Sequence, residues 1–452
     1  MNPADIGLLH TLGEPTIAPD GLHAVVAVTR PDLDADDYRG RLWIVPTDGS
    51  APARPITADG RRDFAPVYSP DGAWLAFLRA TDDEGPSGKP QLYVMPTGSG
   101  EPRRVTGHPL GAGTPVWSPD SRRIAYVARV PEEGRYTGGR PEAEPPRRIT
   151  TLQYREDDLG FFTDRRSHVF VVDPFGEPAP GPVQVTDGDF DHTAVAWSPD
   201  GEQLAFVSAR HDTRGSDLIT DLWLCAPDGG RPRPLTQGGV NGDGPRLWVE
   251  QPRFAPDGAS VCFAAVDVGA DGRTDIAHHT GLWSVPADGS APPRRLTDAE
   301  SIHLSRGSAI ETTKDGVLFP CERRGAVELL LVPYDGGRPE TLLSGPRQVG
   351  DVAHAGSVLV AVVADAGGCG ELIAVADGTE HTLTSFAALA SPLPLEEITA
   401  GAPDGYPVHG WIVRPPGPGP HPVLLMIHGG PFAQYGWRLF DEAQVYAAAG
   451  YA

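Results

Sequence analysis

The sequence predicts an all-β, seven-bladed β-propeller over residues 1–390, followed over residues 391–452 by the first part of an α/β domain. Two observations carry this prediction. A Pro-Asp-Gly phrase returns at regular intervals through most of the chain, and an apolar strand leading into a glycine pair stands near residue 430. Closed repeat folds show the first pattern, and parallel sheets show the second.

The repeated phrase has the form Ser/Ala-Pro-Asp-Gly and marks one hairpin turn in each blade. With two less regular copies included, its aspartates are Asp20, Asp71, Asp120, Asp200, Asp257 and Asp315. Spacings of roughly 50 to 60 residues suit a four-stranded blade, and one longer spacing leaves room for an insertion. Proline presets φ, aspartate accepts hydrogen bonds from backbone N–H groups, and glycine takes positive φ, so the phrase suits a tight turn.

A second phrase supplies the other hairpin of each blade. It begins at Leu42, Leu92, Leu222, Leu282 and Leu330, and in most copies an aromatic residue follows the leucine. Residues 358–364 and 371–384 add a seventh, weaker blade, which gives seven blades between about residues 13 and 390. The repeated aromatic residues are interpreted as packing between blades.

Composition limits the partners and the location of the protein. The formal net charge of −23 excludes a nucleic-acid partner, because phosphates require basic surfaces. The N-terminus has no basic and apolar leader, and no stretch is long and apolar enough for a membrane span, so we expect a soluble cytoplasmic protein. The four cysteines show no Cys-x-x-Cys spacing, and neither a metal nor another cofactor is predicted.

The long spacing contains an insertion at about residues 131–166. It ends in an acidic run, Glu156-Asp157-Asp158, which could anchor a free α-amine of a substrate, because an ammonium in a partly dry cleft requires carboxylate partners. A solvated loop end, or structural pairing with Arg155, Arg165 or Arg166, is the alternative. If the amine of the substrate were acylated, arginines would line the approach instead.

The sequence Pro422-Val-Leu-Leu-Met-Ile-His-Gly-Gly-Pro431 predicts a buried strand at Val423–Ile427 that runs into a glycine turn, residues 428–430. Such a turn presents a backbone N–H to a carbonyl oxygen that becomes negative in a transition state, as in the N-terminal part of an α/β-hydrolase domain. Phe432, Tyr435 and Trp437 follow the turn and could shape an apolar substrate pocket, or could instead pack against the propeller.

A helix is predicted at 441–449, closed by Gly450. No Gly-x-Ser-x-Gly nucleophile motif follows the glycine turn. The chain is therefore interpreted as the front part of a serine hydrolase whose nucleophile lies beyond residue 452, and residues 1–452 alone are predicted to be inactive.

These features together resemble the prolyl oligopeptidase family of serine peptidases, most closely its acylaminoacyl-peptidase and aminopeptidase branch. The resemblance rests on the turn repeats, on residues 164–173 and on residues 428–435. It implies that the propeller limits access to a Ser-Asp-His triad that cleaves peptide or aminoacyl amide bonds through an acyl-enzyme. It also implies that Gly430 supplies one oxyanion-hole N–H, while His428 holds the turn rather than acting as a base.

Two other classes remain open at this point. One is a non-catalytic propeller that binds proteins, and the other is a carboxylesterase or lipase, in which a third glycine usually stands where this chain has Pro431. The expected partner is a short peptide or aminoacyl-amide substrate. The sequence allows a homo-oligomer but does not require one.

Overall fold

A computed structural model of the protein describes residues 1–80, 88–98, 100–136, 144–157, 159–176, 181–236, 244–305, 307–386, 391–430 and 433–452. Most of the regular structure in these ranges is β-strand, as the sequence predicts. A 3-10 helix lies at Pro3–Leu8, and an α-helix, α1, lies at Asp441–Ala448.

The strands before residue 210 are β1 Thr11–Leu12, β2 Thr16–Ile17, β3 His23–Asp32, β4 Asp37–Pro46, β5 Arg54–Pro55, β6 Arg62–Tyr68, β7 Trp74–Ala80, β8 Gln91–Pro96, β9 Arg103–Arg104, β10 Val116–Trp117, β11 Ile124–Arg129, β12 Arg155–Glu156, β13 Gly160–Phe161, β14 Ser167–Val172, β15 Val183–Gln184, β16 His192–Trp197 and β17 Leu204–Ser208. The strands after it are β18 Asp221–Cys225, β19 Arg233–Pro234, β20 Leu247–Phe254, β21 Ser260–Asp267, β22 Gly281–Pro286, β23 Arg294–Arg295, β24 Glu311–Thr312, β25 Val317–Arg323, β26 Ala326–Val332, β27 Glu340–Leu343, β28 Gln348–Ala355, β29 Val358–Asp365, β30 Gly368–Ala376, β31 Thr379–Thr382, β32 Leu395–Gly401 and β33 Pro407–Val413.

The chain forms two compact units. The first unit comprises Met1–Phe64, Pro320–Leu330 and Glu340–Ala452, and the second comprises Ala65–Phe319 and Leu331–Pro339. These limits do not coincide with the predicted boundary between the propeller and the α/β segment. That boundary stays a prediction.

Antiparallel four-stranded meanders follow one another in the second unit. They consist of β6 to β9, of β10, β11, β14 and β15, of β16 to β19, and of β20 to β23. Consecutive meanders pack through apolar faces. Leu222 and Leu224 of β18, for example, share one buried cluster with Val261 and Phe263 of β21. This is the packing between repeats that the aromatic and aliphatic phrases predict.

In the first unit, β2 to β5 and β28 to β31 form two further meanders. Val26 and Val45 of one share a buried cluster with Val360 and Leu372 of the other. Strands β24 to β27 form another meander, which is divided between the units. No closed sheet forms among the strands that the structure describes, and the count of seven blades stays a prediction.

The repeated phrase forms the turns that the sequence predicts. Ser69 Oγ donates to Asp71 Oδ1 at 2.5 Å, and Gly72 has a φ of 72° while its N–H donates to Ser69 O at 2.8 Å. The serine–aspartate hydrogen bond recurs in the copies at 118–121 and 198–201. It is the main reason that the pKa of Asp71 lies below its ordinary value.

In most meanders a buried threonine stands two residues after the fourth strand and is hydrogen-bonded to the third strand. The sequence analysis did not predict this repeat. The threonine hydroxyl accepts a hydrogen bond from a strand N–H in the pairs Thr57 with Leu42, Thr106 with Leu92, Thr186 with Val169, Thr236 with Leu222, Thr297 with Leu282 and Thr384 with Leu372. The hydroxyl thus satisfies a buried backbone donor where the short outer strand no longer pairs.

The last part of the chain carries the predicted hairpin and helix. β32 and β33 pair around the turn at Asp404 and Gly405, and α1 ends one residue before the predicted limit. Gln444 of α1 is 2% exposed, and its side-chain amide binds both backbone groups of Leu393. This pair fixes the helix to the segment that precedes β32.

The prediction of a buried strand at Val423–Ile427 is wrong for this structure. The extended segment forms no strand, and the side chains of Val423, Leu425 and Ile427 are 73%, 82% and 76% exposed. The physical reason is that, among the residues the structure describes, the backbone of the segment is bound at one point, by Ala452. Without neighbouring strands on its flanks, its apolar side chains have nothing to pack against.

Candidate functional site

The glycine turn lies in the first unit, directly after the extended segment. The imidazole of His428 is exposed, and its Nδ1 lies 2.8 Å from the carbonyl oxygen of Gly429. A Cβ added to Gly429 would meet no heavy atom within 4 Å. The turn is therefore open on this side, and the roles of Gly430 and His428 stay predictions.

Ala452 is hydrogen-bonded to the extended segment in the pattern of neighbouring strands in a parallel sheet. The N–H of Ala452 donates to Pro422 O at 2.8 Å, and the N–H of Leu424 donates to Ala452 O at 2.9 Å. Two hydrogen bonds that flank one residue in this way make a parallel bridge. Since α1 lies between the two partners in the chain, the bridge has the connectivity of a parallel crossover through a helix.

The aromatic residues after the turn lie in two places. The ring centroid of Tyr435 is 4.8 Å from that of Phe440 and 6.3 Å from the imidazole of His428. Trp437 instead lies against Trp411 of β33, with ring centroids 6.0 Å apart. Tyr435 thus stays beside the turn, whereas the contact of Trp437 is one of packing.

Phe432, the third predicted aromatic residue, lies outside the described residues, as does Asp158 of the acidic run.

Glu156 and Asp157 lie on a small exposed hairpin of the second unit. Arg155 and Glu156 form β12, and β12 pairs with β13, whose first residue is Gly160 opposite Glu156. No ion pair reaches either carboxylate from the part of the chain that the structure describes. Arg166, one of the alternative partners, is bound to other carboxylates.

A cavity of about 670 Å³ opens beside this hairpin, within the second unit. Glu156 and Asp212 contribute to its wall, together with the rings of Phe162, Phe190 and Trp248. The cavity is thus large enough for a small peptide end and carries both carboxylates and apolar surface.

The cavity wall contains three arginines and five carboxylates, and all three arginines are paired with two of the aspartates. Arg166 binds Asp189 at 2.7 Å and Asp191 at 2.6 Å, Arg129 binds Asp191 at 3.1 Å, and Arg214 binds Asp189 at 3.4 Å. Glu156 and Asp212 remain without a cationic partner among the residues the structure describes. The wall therefore carries uncompensated negative charge, which suits a cationic ligand.

The sequence analysis named Glu156 but missed the rest of this wall. Asp187, Asp189 and Asp191 stand at every second position directly after the buried Thr186, and Asp212 follows β17. Acidic residues at the ends of repeat strands were the available signal. No sequence pattern shows which of them an arginine neutralises, because the partners lie far apart in the chain.

Metal-ligating clusters and membrane-crossing helices are both absent from the described ranges. No group of three or more His, Cys, Asp or Glu side chains there is placed to hold a metal ion. No helix in those ranges has the length and apolarity that a membrane crossing needs.

Successive four-stranded β-meanders are followed by a glycine turn, a helix and a residue that pairs in parallel with the segment before the turn. This is the order of elements expected of a propeller that precedes the first part of an α/β domain.

Comparison with known proteins agrees with this order of elements. The chain is 27% identical, over an alignment of 515 residues, to the uncharacterized peptidase YuxL of Bacillus subtilis, covering 99% of this chain and 69% of that protein. Its fold matches the acylaminoacyl peptidase of Pyrococcus horikoshii with a TM-score of 0.76 at 18% identity, covering 100% of this chain and 65% of that one. The β-propeller domain of the Trilobed protease from Pyrococcus furiosus matches with a TM-score of 0.58 at 15% identity, covering 84% and 96% of the two chains.

No family model matches the chain. The chain is nevertheless similar to peptidases of the prolyl oligopeptidase family, as the resemblance predicted. Their printed names concern the relatives, and the chain spans about two thirds of the length of the first two. The activity and substrate of this protein are therefore treated as proposals.

Proposed function

We propose that the natural polypeptide carrying residues 1–452 is a serine peptidase or amidase that hydrolyses short peptides, or aminoacyl or acylaminoacyl amides, through an acyl-enzyme. The observation that carries the proposal is the parallel bridge between Val423 and Ala452, with the glycine turn and α1 between its partners. A parallel crossover of this kind behind a chain of β-meanders supports a hydrolase domain rather than a binding module.

The N–H of Gly430 is assigned to the oxyanion hole. The open space beside Gly429 supports this role, because a substrate carbonyl must approach the backbone of the turn closely. A donor of this kind stabilises a transition state by about 2.7–4 kcal/mol. His428, which stays next to its own turn, would support the backbone conformation.

We place the Ser, Asp and His of the triad beyond residue 452, since no Gly-x-Ser-x-Gly motif stands within the chain. On this proposal residues 1–452 alone are inactive. The domain boundary near residue 390, the seven blades and the control of access by the propeller belong to the same proposal, as does a cytoplasmic location.

Glu156 is assigned to the substrate amine, with Asp157 and Asp158 as further candidates. Support comes from the position of Glu156 in a cavity wall that has more carboxylates than arginines and in which the arginines are paired with other carboxylates. An ammonium would supply the missing positive charge through a charge-assisted hydrogen bond. Phe432, Tyr435 and Trp437 are assigned to the apolar pocket near the turn.

The first test measures the intact mass of the native polypeptide before and after reaction with a fluorophosphonate probe. We expect a mass well above 47.9 kDa and a single probe adduct on a serine that follows residue 452. A mass of 47.9 kDa without an adduct would contradict the proposal and favour a non-catalytic propeller.

A matched pair of variants tests the oxyanion role in the same polypeptide. Gly430→Pro removes the N–H, whereas Gly430→Ala keeps it and is allowed because Gly430 is not among the residues with positive φ. We expect kcat to fall about 10²- to 10³-fold for the proline variant and to change little for the alanine variant. Equal losses in both would show that shape, and not the N–H, matters at this position.

The amine anchor is tested with two substrates that differ only in acylation of the α-amine. Glu156→Gln should raise KM about tenfold or more for the free amine and leave the acylated substrate unaffected, because only the former carries the charge. Glu133→Gln, an exposed carboxylate of the insertion outside the cavity wall, is the control. A KM unchanged for both substrates would remove Glu156 from the site.

A further inference from the structure

The tip of the hairpin between β25 and β26 is a two-residue turn with an unusual environment. Arg324 has a φ of 48° and Gly325 a φ of 78°, the conformation of a type I′ hairpin turn. Such turns usually point into solvent. This one lies against residues 433–437, which follow the glycine turn in the same unit.

Both backbone groups of Gly325 are hydrogen-bonded to this segment. Its carbonyl oxygen accepts from the N–H of Trp437 at 2.9 Å, and its N–H donates to Gln434 Oε1 at 3.3 Å. The amide nitrogen of Gln434 donates to Glu322 Oε2 at 2.8 Å, which fixes the orientation of the amide. Gln348 Nε2 adds a second donor to the Gly325 carbonyl at 3.2 Å.

Steric contact also restricts both partners to glycine. A Cβ on Gly325 would overlap the indole of Trp411 and lie 3.1 Å from Cα of Gly436. A Cβ on Gly436 would overlap the carbonyl oxygen of Gly325. The two backbones are therefore in direct contact, an approach that only glycine allows.

The segment held in this way contains Tyr435. Its neighbours in the chain, Gln434 and Gly436, are fixed by the hairpin, and its ring lies between Phe440 and His428 of the glycine turn, at centroid distances of 4.8 and 6.3 Å. A shift of the segment would move the ring that adjoins the turn.

We propose that Gly325 is a positioning residue: by docking on residues 434–437 the hairpin tip fixes Tyr435, and through it the glycine turn, in the geometry needed for the transition state. The inference rests on the proposed function for its catalytic consequence. Misplacement of a catalytic group by about 1 Å can lower the rate about 10²-fold, so a contact remote from the reacting bond is sufficient.

A second turn of the same unit provides a matched control. Asp377 and Gly378, between β30 and β31, have φ values of 50° and 73°, and a Cβ on Gly378 would meet nothing within 4 Å. Gly378→Ala therefore introduces the strain of a positive φ alone, whereas Gly325→Ala introduces the same strain and also breaks the docking contact.

The experiment uses the full natural polypeptide and measures amide exchange and steady-state kinetics for both variants. For Gly325→Ala we expect exchange to rise about tenfold or more in peptides covering 433–437 and 426–430, and kcat on an aminoacyl arylamide to fall about 10- to 100-fold with little change in KM. Gly378→Ala should leave all three readouts within about twofold of the wild type.

Faster exchange at 433–437 with unchanged exchange at 426–430 and unchanged kcat would overturn the inference, as would equal effects of the two variants. Should Gly325→Ala fail to fold, Gln434→Ala removes the exposed side-chain contacts alone and should give a smaller change, about threefold or more, in the same direction. If the wild type has no activity, the proposed function fails, and exchange at 426–430 alone decides the positioning role.

Discussion

Gln444 offers a stability test in which the magnitude follows from the geometry. Its side chain is almost fully buried in α1, accepts from Leu393 N–H at 2.8 Å and donates to Leu393 O at 2.9 Å. Gln444→Met keeps the volume of the side chain but removes both hydrogen bonds. Leaving a buried donor or acceptor unsatisfied costs about 1–3 kcal/mol. Since Leu393 is only half-buried, we take about 2 kcal/mol for the pair.

A loss of about 2 kcal/mol corresponds to roughly 30-fold faster opening of the segment before β32. The assay is amide exchange in peptides that cover residues 391–396, with exchange at β3 as the internal reference. Glu442→Met, which introduces the same side chain on the exposed face of α1, is the control and should cost less than about 1 kcal/mol. Exchange within twofold of the wild type in Gln444→Met would refute the reasoning that these two hydrogen bonds hold the helix.

Two buried groups of the second unit predict opposing pH dependences. Burial raises the pKa of Asp221 to about 6, so the free energy of unfolding falls as pH rises from about 4 to 6. We expect Asp221→Asn to raise the free energy of unfolding at pH 7 by about 3 kcal/mol, measured by urea unfolding. Burial lowers the pKa of His192 to about 4, so the free energy of unfolding falls by about 3 kcal/mol as pH falls from about 6.5 to 4. We expect this decrease to be much smaller in His192→Asn. Asp221→Asn that leaves the pH profile unchanged would contradict the first prediction, and acid sensitivity retained in His192→Asn would contradict the second.

The regular part of the fold could be predicted because each repeat carries its own turn chemistry. Proline, aspartate and glycine at Ser69–Gly72 define φ and the hydrogen bonds of the turn locally, so neighbouring meanders need not be known. The buried threonines could have been found in the same way. Each of the six stands directly after an aliphatic residue near the end of its meander, as Leu235-Thr236 and Leu296-Thr297 show.

The strand at Val423–Ile427 could not be judged correctly from its composition. Apolar composition shows which side chains favour burial, but burial also requires neighbouring strands on both flanks. Among the described residues the segment has one backbone partner, at Ala452, and its side chains remain exposed. The same limit applies to the cavity, because the sequence shows carboxylates but not which of them distant arginines neutralise.

The cavity wall of the second unit and the glycine turn of the first unit differ in how firmly their own groups are held. Around the cavity, Asp191 accepts hydrogen bonds from two arginines and from the backbone and hydroxyl of Ser167, so its carboxylate is fixed from four directions. The glycine turn has one side-chain hydrogen bond of its own, from His428 to an adjacent carbonyl group.

A recognition wall gains specificity from rigidity, because a charge held in place does not need to be ordered when the ligand binds. A turn that must close around a reacting carbonyl depends instead on whatever packs against it. Among the described residues, the ring of Tyr435 lies next to His428 of the turn, and the hairpin at Gly325 binds the segment that contains Tyr435. Slow amide exchange at Ser167 together with faster exchange at 422–430 would establish this difference, whereas equal protection of both would show that the turn is held as firmly as the cavity wall.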